Sequence, residues 1–193
     1  MSHSDTREKL VRTASKLLRR KGFDGVGLKE ILDAAQLPKG SLYYHFPGGK
    51  AELAEAATRW AGGWVEDVVS TCFYEARSFA EGAVGLCDTF VHLIETQNCV
   101  EACPVLSILQ ATTVDPALRR VSNEVHAGWT ACITRHAERL GEPDPESAAF
   151  SLQVKLQGAW VFAFAQQSAD PFRRLSSELQ TEGPSRDLGN RTS

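Results

Sequence analysis

The sequence lacks any long apolar run: none approaches the roughly 18 to 20 residues that a membrane-spanning helix needs. The start, Met1-Ser2-His3-Ser4-Asp5, has no basic segment leading into an apolar one, so no secretory leader is expected. Cysteine is sparse and odd in number, five in 193 residues, which excludes a disulfide framework and fits a reducing compartment. These absences lead to the expectation of a soluble, cytoplasmic protein without a membrane partner. Sustained apolar-polar alternation, the mark of a sheet, is missing, and so is any internal repeat. Missing too are CxxC, HExxH, a P-loop, a nucleophile elbow and a paired-carboxylate motif, so no catalysis, no metal and no cofactor are expected. Gly22, Gly25 and Gly27 follow no strand and have the wrong spacing for a nucleotide loop.

What is present is a globular composition, with 42% hydrophobic and 23% charged residues. The net charge of −3 is unevenly distributed. Residues 1–50 hold ten Lys or Arg against five Asp or Glu, a balance of +5, and the remainder carries 11 against 19, or −8. A basic head on an acidic body implies that one end meets a polyanion and the other does not. The plain alternative is a solvated basic helix face.

Periodicity predicts helices almost throughout. Leu10, Ala14, Leu17 and Leu18 recur at helical spacing from Asp5 to Lys21, with Arg12, Lys16, Arg19 and Arg20 on other faces and Gly22 as the stop. Leu28 to Ala35 is a second, short amphipathic helix behind Gly27. Gln36-Leu37-Pro38-Lys39 leads into a third helix over Gly40 to His45, with Pro38 suited to its first turn. Phe46-Pro47-Gly48-Gly49 breaks the chain before a long helix from Lys50 into the low seventies. Further helices are expected at Phe79 to Thr96, Pro104 to Thr112, Pro116 to Leu140, Pro145 to Gln167 and Phe172 to Leu179, and a tail begins at Thr181. The expected fold is all-α: an N-terminal three-helix helix-turn-helix head over residues 1–50, joined to a larger helical domain over residues 51–180.

Two short helices joined by a tight turn and braced by a longer one are the parts of a helix-turn-helix, whose second helix enters the major groove. The residues here are Gly22-Phe23, Leu28-Lys29-Glu30-Ile31, Ala34-Ala35 and Lys39-Gly40-Ser41-Leu42-Tyr43-Tyr44-His45-Phe46, closed by Lys50 and Leu53. This string resembles the TetR family of bacterial transcriptional repressors. The resemblance implies that Lys29, Lys39, Gly40, Ser41, Tyr43, Tyr44, His45 and Lys50 contact DNA, while Phe46 packs inward. Small Gly40 and Ser41 let the helix start approach the duplex, and Lys39 can reach a guanine edge or a phosphate. Lys50 opens the next helix, where amides and ammonium together favour a phosphate oxygen. The alternatives are that Tyr43 or Tyr44 belongs to the core and that Lys29 is only a solvated charge. Two departures from the family stand out: Gly27 replaces the usual Ser or Thr cap, and Gln36 replaces a turn glycine, which puts a side chain at unfavourable φ.

The body, through Cys103-Pro104-Val105, a Pro-introduced helix running to Trp129, and Gln157-Gly158-Ala159 leading to Asp170-Pro171-Phe172, resembles the LmrA/YxaF-like C-terminal branch of that family. The resemblance implies a ligand-sensing, dimerising domain. From the residues themselves, Gly158 to Ala165 has no polar side chain and needs cover on both sides. A second subunit is the natural cover, with Trp160, Phe162 and Phe164 at a homodimer interface and the helix of Pro116 to Leu140 completing a four-helix bundle. The alternative is burial in the chain's own core. Candidate effector contacts are Trp60, Trp64, Phe90, Leu93, Gln97, Leu106, Gln110 and Trp129, with Phe73 and Leu109 as further walls and His92, His126 and Gln157 as further polar groups. Such a lining favours a small, largely apolar effector. Cys99 and Cys103, like Cys132 and His136, stand four apart, and could serve a metal or a thiol sensor; buried apolar cysteine is the plainer reading. The expected function is a ligand-responsive repressor binding a palindromic double-stranded operator as a homodimer. The competing readings are a helical ligand carrier or a thiol-based redox sensor whose head binds another anion.

Overall fold

Leu10, Ala14 and Leu18 follow one another at intervals of four and are all but inaccessible to solvent, so the first segment is helical because one stripe of it is removed from water. The computed structural model describes residues 3–182; residues 183–193, most of the expected tail, lie outside the described residues. The helices are α1 (His3–Lys21), α2 (Leu28–Ala35), α3 (Lys39–His45), α4 (Gly49–Tyr74), α5 (Phe79–Gln97), α6 (Pro116–Arg139), α7 (Pro145–Gln166) and α8 (Asp170–Glu182). Among the described residues there is no strand, and the class is all-α. Contacts group the chain into two units: residues 1–69 with 101–134, and 70–100 with the chain from 135 onward.

In the first unit, α2 starts from Gly27, which has extended backbone and offers no side-chain cap. It buries Ile31, Leu32 and Ala35 and stops at Gln36, whose φ of 52° is left-handed. The amides of Gln36 and Leu37 return to the carbonyls of Asp33 and Leu32, closing the helix end. Gln36 therefore holds the position where glycine is the unstrained choice. Pro38 stands one residue before the helix as its extended N-cap, not in its first turn, and α3 begins at Lys39. Leu42 and Phe46 are buried on its inner side. Further along, α4 and α6 meet at Gly62: a Cβ there would lie 2.7 Å from Val125 Cγ1, and the Gly62 carbonyl accepts the Trp129 indole N–H at 2.9 Å.

The helix expected over Pro104 to Thr112 is replaced by two 3-10 turns, Leu106–Ile108 and Gln110–Thr113. The hydroxyls of Ser107, Thr112 and Thr113 donate to carbonyls three residues back. They compete with the α-helical ladder and tighten it. The Ser107 carbonyl is also withdrawn from any ladder, since it accepts the Phe23 amide at 3.0 Å.

In the second unit, Ser78 caps α5 by accepting the Glu81 amide at 3.1 Å. The fully buried Phe73 ring lies against the Gly82 backbone, where a Cβ would overlap it, and 5.3 Å from the His136 ring. Asp144 caps α7, with Pro145 in the first turn. α8 packs on α5 and α7 through Phe172, and its buried Ser176 hydroxyl donates to Asp88 at 2.9 Å.

Two outcomes follow from these local features. Gln36→Gly should stabilise the fold by about 1 kcal/mol, the cost of a left-handed non-glycine residue, and Gln36→Val should destabilise it; equal urea midpoints for all three proteins would contradict the strain. Burial, with Arg139 and Arg135 adding to it, holds His136 below its ordinary 6.5, and burial alone does the same for His126. Below that value the unfolded chain takes up protons that the fold resists, so stability is full above it and falls as pH drops through it. Urea midpoints between about pH 8 and pH 5.5 should decline, less steeply in His136→Gln; a flat wild-type profile would contradict this.

Candidate DNA-binding site

Seven residues cannot sustain a helix alone in water, and α3 exists because Leu42 and Phe46 are anchored. That anchoring settles which residues face outward. Lys39, Gly40, Tyr43 and Tyr44 are exposed, and Ser41 and His45 are half-buried. Tyr43 is 49% and Tyr44 69% exposed, so neither ring belongs to the core. The Tyr44 and His45 rings meet edge to face at 5.1 Å, which limits their rotamers. A Cβ built on Gly40 meets nothing within 4 Å, so nothing in the chain's own packing requires glycine there.

The flanking cations are differently held. Lys29 on α2 pairs with Asp33 at 2.9 Å, with its side chain 91% exposed. The hydrogen bond and charge of Asp33 hold this ammonium above its ordinary value, so it stays charged. A pair so exposed contributes little stability and can exchange its carboxylate for another anion. Lys50, in the first turn of α4, places its ammonium 4.3 Å from the centre of the Phe23 ring. Glu52 satisfies the Gly48 amide at 2.7 Å in the same turn.

Sequence reasoning missed the clamp on the end of α1. Glu101 accepts the Arg20 Nε at 2.8 Å and faces the Arg19 guanidinium at 3.3 Å. Arg19 Nε donates to the Ala102 carbonyl at 2.9 Å, and the Ala102 amide donates to the Arg19 carbonyl at 3.0 Å. The pairings span more than 80 residues, so no local pattern signals them.

The candidate effector contacts divide between the units. Trp60, Trp64, Leu106, Gln110 and Trp129 fall in the first; Phe90, Leu93 and Gln97 fall in the second. Trp60 is 41% and Trp64 37% exposed, and the Arg12 guanidinium lies 5.6 Å from the Trp60 ring centre. Trp129 is buried with its N–H spent on Gly62. Leu106 and Leu93 are half-buried, and Gln110 and Gln97 are exposed. Phe90 is buried, edge to face with Trp160 at 4.6 Å and tilted on Phe172 at 5.3 Å. Gln157 Oε1 is a buried acceptor without a hydrogen-bond partner among the described residues.

On α7, Trp160 is buried in the chain's own unit, whereas Phe162 is 61% and Phe164 39% exposed. Phe150, Val154 and Val161 are exposed as well. Phe150, Val154, Gln157, Val161 and Phe164 alternate spacings of four and three, the repeat of a helix-helix seam. Phe162 also lines a groove of about 460 Å³ between α7 and α8, with Lys155, Gly158, Arg174, Leu175 and Glu178.

None of the five cysteines forms a disulfide. Burial pushes the Cys72 thiol up, and burial, aided by Asp88 and Cys72, pushes Cys87 up to about 12, so both are neutral thiols and poor nucleophiles near neutral pH. Among the described residues no three His, Cys, Asp or Glu side chains gather as a metal site, and no helix is long and apolar enough to cross a membrane.

Comparison with known proteins matches this geometry. Residues 10–57 match the family described as "Bacterial regulatory proteins, tetR family", and residues 78–178 match "Transcriptional regulator LmrA/YxaF-like, C-terminal domain". The chain is 27% identical to the HTH-type transcriptional regulator LmrA of Bacillus subtilis (strain 168), over 92% of this chain and 96% of that one. It is 47% identical over 47 residues, 24% of each chain, to the HTH-type transcriptional repressor NemR of Escherichia coli (strain K12). The crystal structure of reduced E. coli NemR superposes with a TM-score of 0.81 at 20% identity, covering 92% of this chain and 96% of that one. A TetR regulatory protein from Rhodobacter sphaeroides superposes at 0.79 with 21% identity, over 90% and 96%. These relatives are regulators, not enzymes. The chain belongs to the TetR family of DNA-binding, helix-turn-helix transcriptional regulators, in its LmrA/YxaF-like branch.

Proposed function

We propose that the chain is a homodimeric repressor that occupies a palindromic operator and is released by a small, largely apolar effector. The observation that carries the reading is α3: a short helix pinned by Leu42 and Phe46 that leaves Tyr43, Tyr44 and an unneeded Gly40 facing outward. A glycine at the start of α3 costs helix propensity, and close approach to a duplex gives it a use there. Lys39, Ser41, His45, Lys29 and Lys50 are the remaining DNA contacts of this reading. Residues 1–50 act as the reading head and 51–180 as the sensing and dimerising body, in the cytoplasm. The name of the E. coli relative supports repression over activation.

A single α3 reads only a few base pairs, and two on a two-fold dimer read a palindrome at a fixed spacing. The seam on α7, with Phe162 beside it, supports a second copy of the chain as its cover. Of the candidates named from the sequence, Phe90, Leu93 and Gln97 share one unit and are the effector contacts of this reading. Release requires the effector to bind two states of the protein unequally; about 1 to 3 kcal/mol gives a 5- to 150-fold change in DNA affinity.

The test is titration of a duplex selected by the wild-type protein from random DNA. Gly40→Ala should raise helix stability by about 0.5 to 1 kcal/mol while weakening operator binding, and Tyr44→Ala should leave the melting temperature unchanged and weaken binding. Wild-type affinity in both would remove α3 from the interface. In sedimentation, Phe162→Glu should yield monomers that no longer bind the two-fold site; a dimer of wild-type affinity would place the partner elsewhere.

A further inference from the structure

The end of α1 is held by a segment distant in sequence, and the holding group is a carboxylate whose side chain is only 9% exposed. Glu101 engages Arg19 and Arg20 together. Its neighbour Ala102 exchanges two hydrogen bonds with Arg19, one of them at the α1 carbonyl row that the helix itself leaves unpaired. Beyond Gly22, the Phe23 amide donates to Ser107 at 3.0 Å. The last turn of α1 and the turn leading to α2 are thus fixed by residues 101–107.

We propose that Glu101 is a positioning residue for operator binding: it seats the C-terminal end of α1, from which the helix-turn-helix is hung. This inference rests on the reading of α3 as the DNA-contacting helix. Glu101 itself touches no DNA; it acts through Arg19 and Arg20.

The sign of its effect separates positioning from charge. Glu101→Gln removes a negative charge and loosens two guanidinium groups, so electrostatics alone tightens binding to any DNA. Positioning demands the opposite for the operator. The experiment measures affinity for the selected duplex and for a scrambled duplex of equal length, at one salt concentration, with melting temperatures alongside. For Glu101→Gln, operator binding should weaken about 10-fold, scrambled-duplex binding should hold or strengthen, and Glu101→Asp should recover part of the loss. Arg20→Gln should weaken operator binding more than scrambled-duplex binding, and that excess should shrink in the Glu101→Gln background, since the two side chains form one pair. Equal or tighter operator binding by Glu101→Gln overturns the proposal, as does full additivity of the two changes. If Glu101→Gln fails to fold, Arg20→Gln alone decides: equal losses on the two duplexes in that variant overturn it. A wild-type protein that selects no duplex would instead refute the reading of α3.

Discussion

Everything the head does depends on the burial of Leu42 and Phe46, because a helix of seven residues has no independent stability. Those two side chains convert a marginal turn into a fixed platform, and fixing it determines that Tyr43 and Tyr44 point to solvent. The buried stripe of α1, running through Leu10, Val11, Ala14 and Leu18, is the other half of the same constraint, since α1 packs on both α2 and α3. Outward-facing chemistry on α3 is therefore a consequence of inward-facing packing elsewhere.

Charge is deployed with the same economy. The +5 balance of residues 1–50 counts cations that the fold has already engaged: Lys21 pairs with Glu30, Arg12 with Glu8, and Arg19 and Arg20 with Glu101. Lys39 and Lys50 sit at the starts of α3 and α4, where helix ends add to their attraction for phosphate. The basic excess thus divides into a structural part, spent on bracing α1, and a part that remains for a polyanion. The remainder of the chain is acidic, at −8, a balance that disfavours a polyanion.

Much of this was legible in the sequence because it is local. The apolar spacing of α2, its exact bounds, and the strain at Gln36 follow from a few neighbouring residues, and the string from Lys39 to Phe46 identified the family before any coordinates. The failures share a cause. The stretch over Pro104 to Thr112 has helical spacing, yet hydroxyl groups and a distant amide divert its carbonyls into 3-10 turns. Trp160 and Phe162 stand two apart in one apolar run, and only packing against Phe90 and Phe172 distinguishes the buried ring from the exposed one. The Glu101 clamp is wholly non-local and left no trace in spacing or composition.

The central claim is that α3 and the start of α4 form the surface that meets DNA. Amide hydrogen exchange of the full chain, with and without the duplex it selects, tests this most directly. The account predicts new protection concentrated over residues 39–50, with the α7 seam unchanged. Protection confined to other segments, with residues 39–50 exchanging as fast as in the free protein, would contradict it.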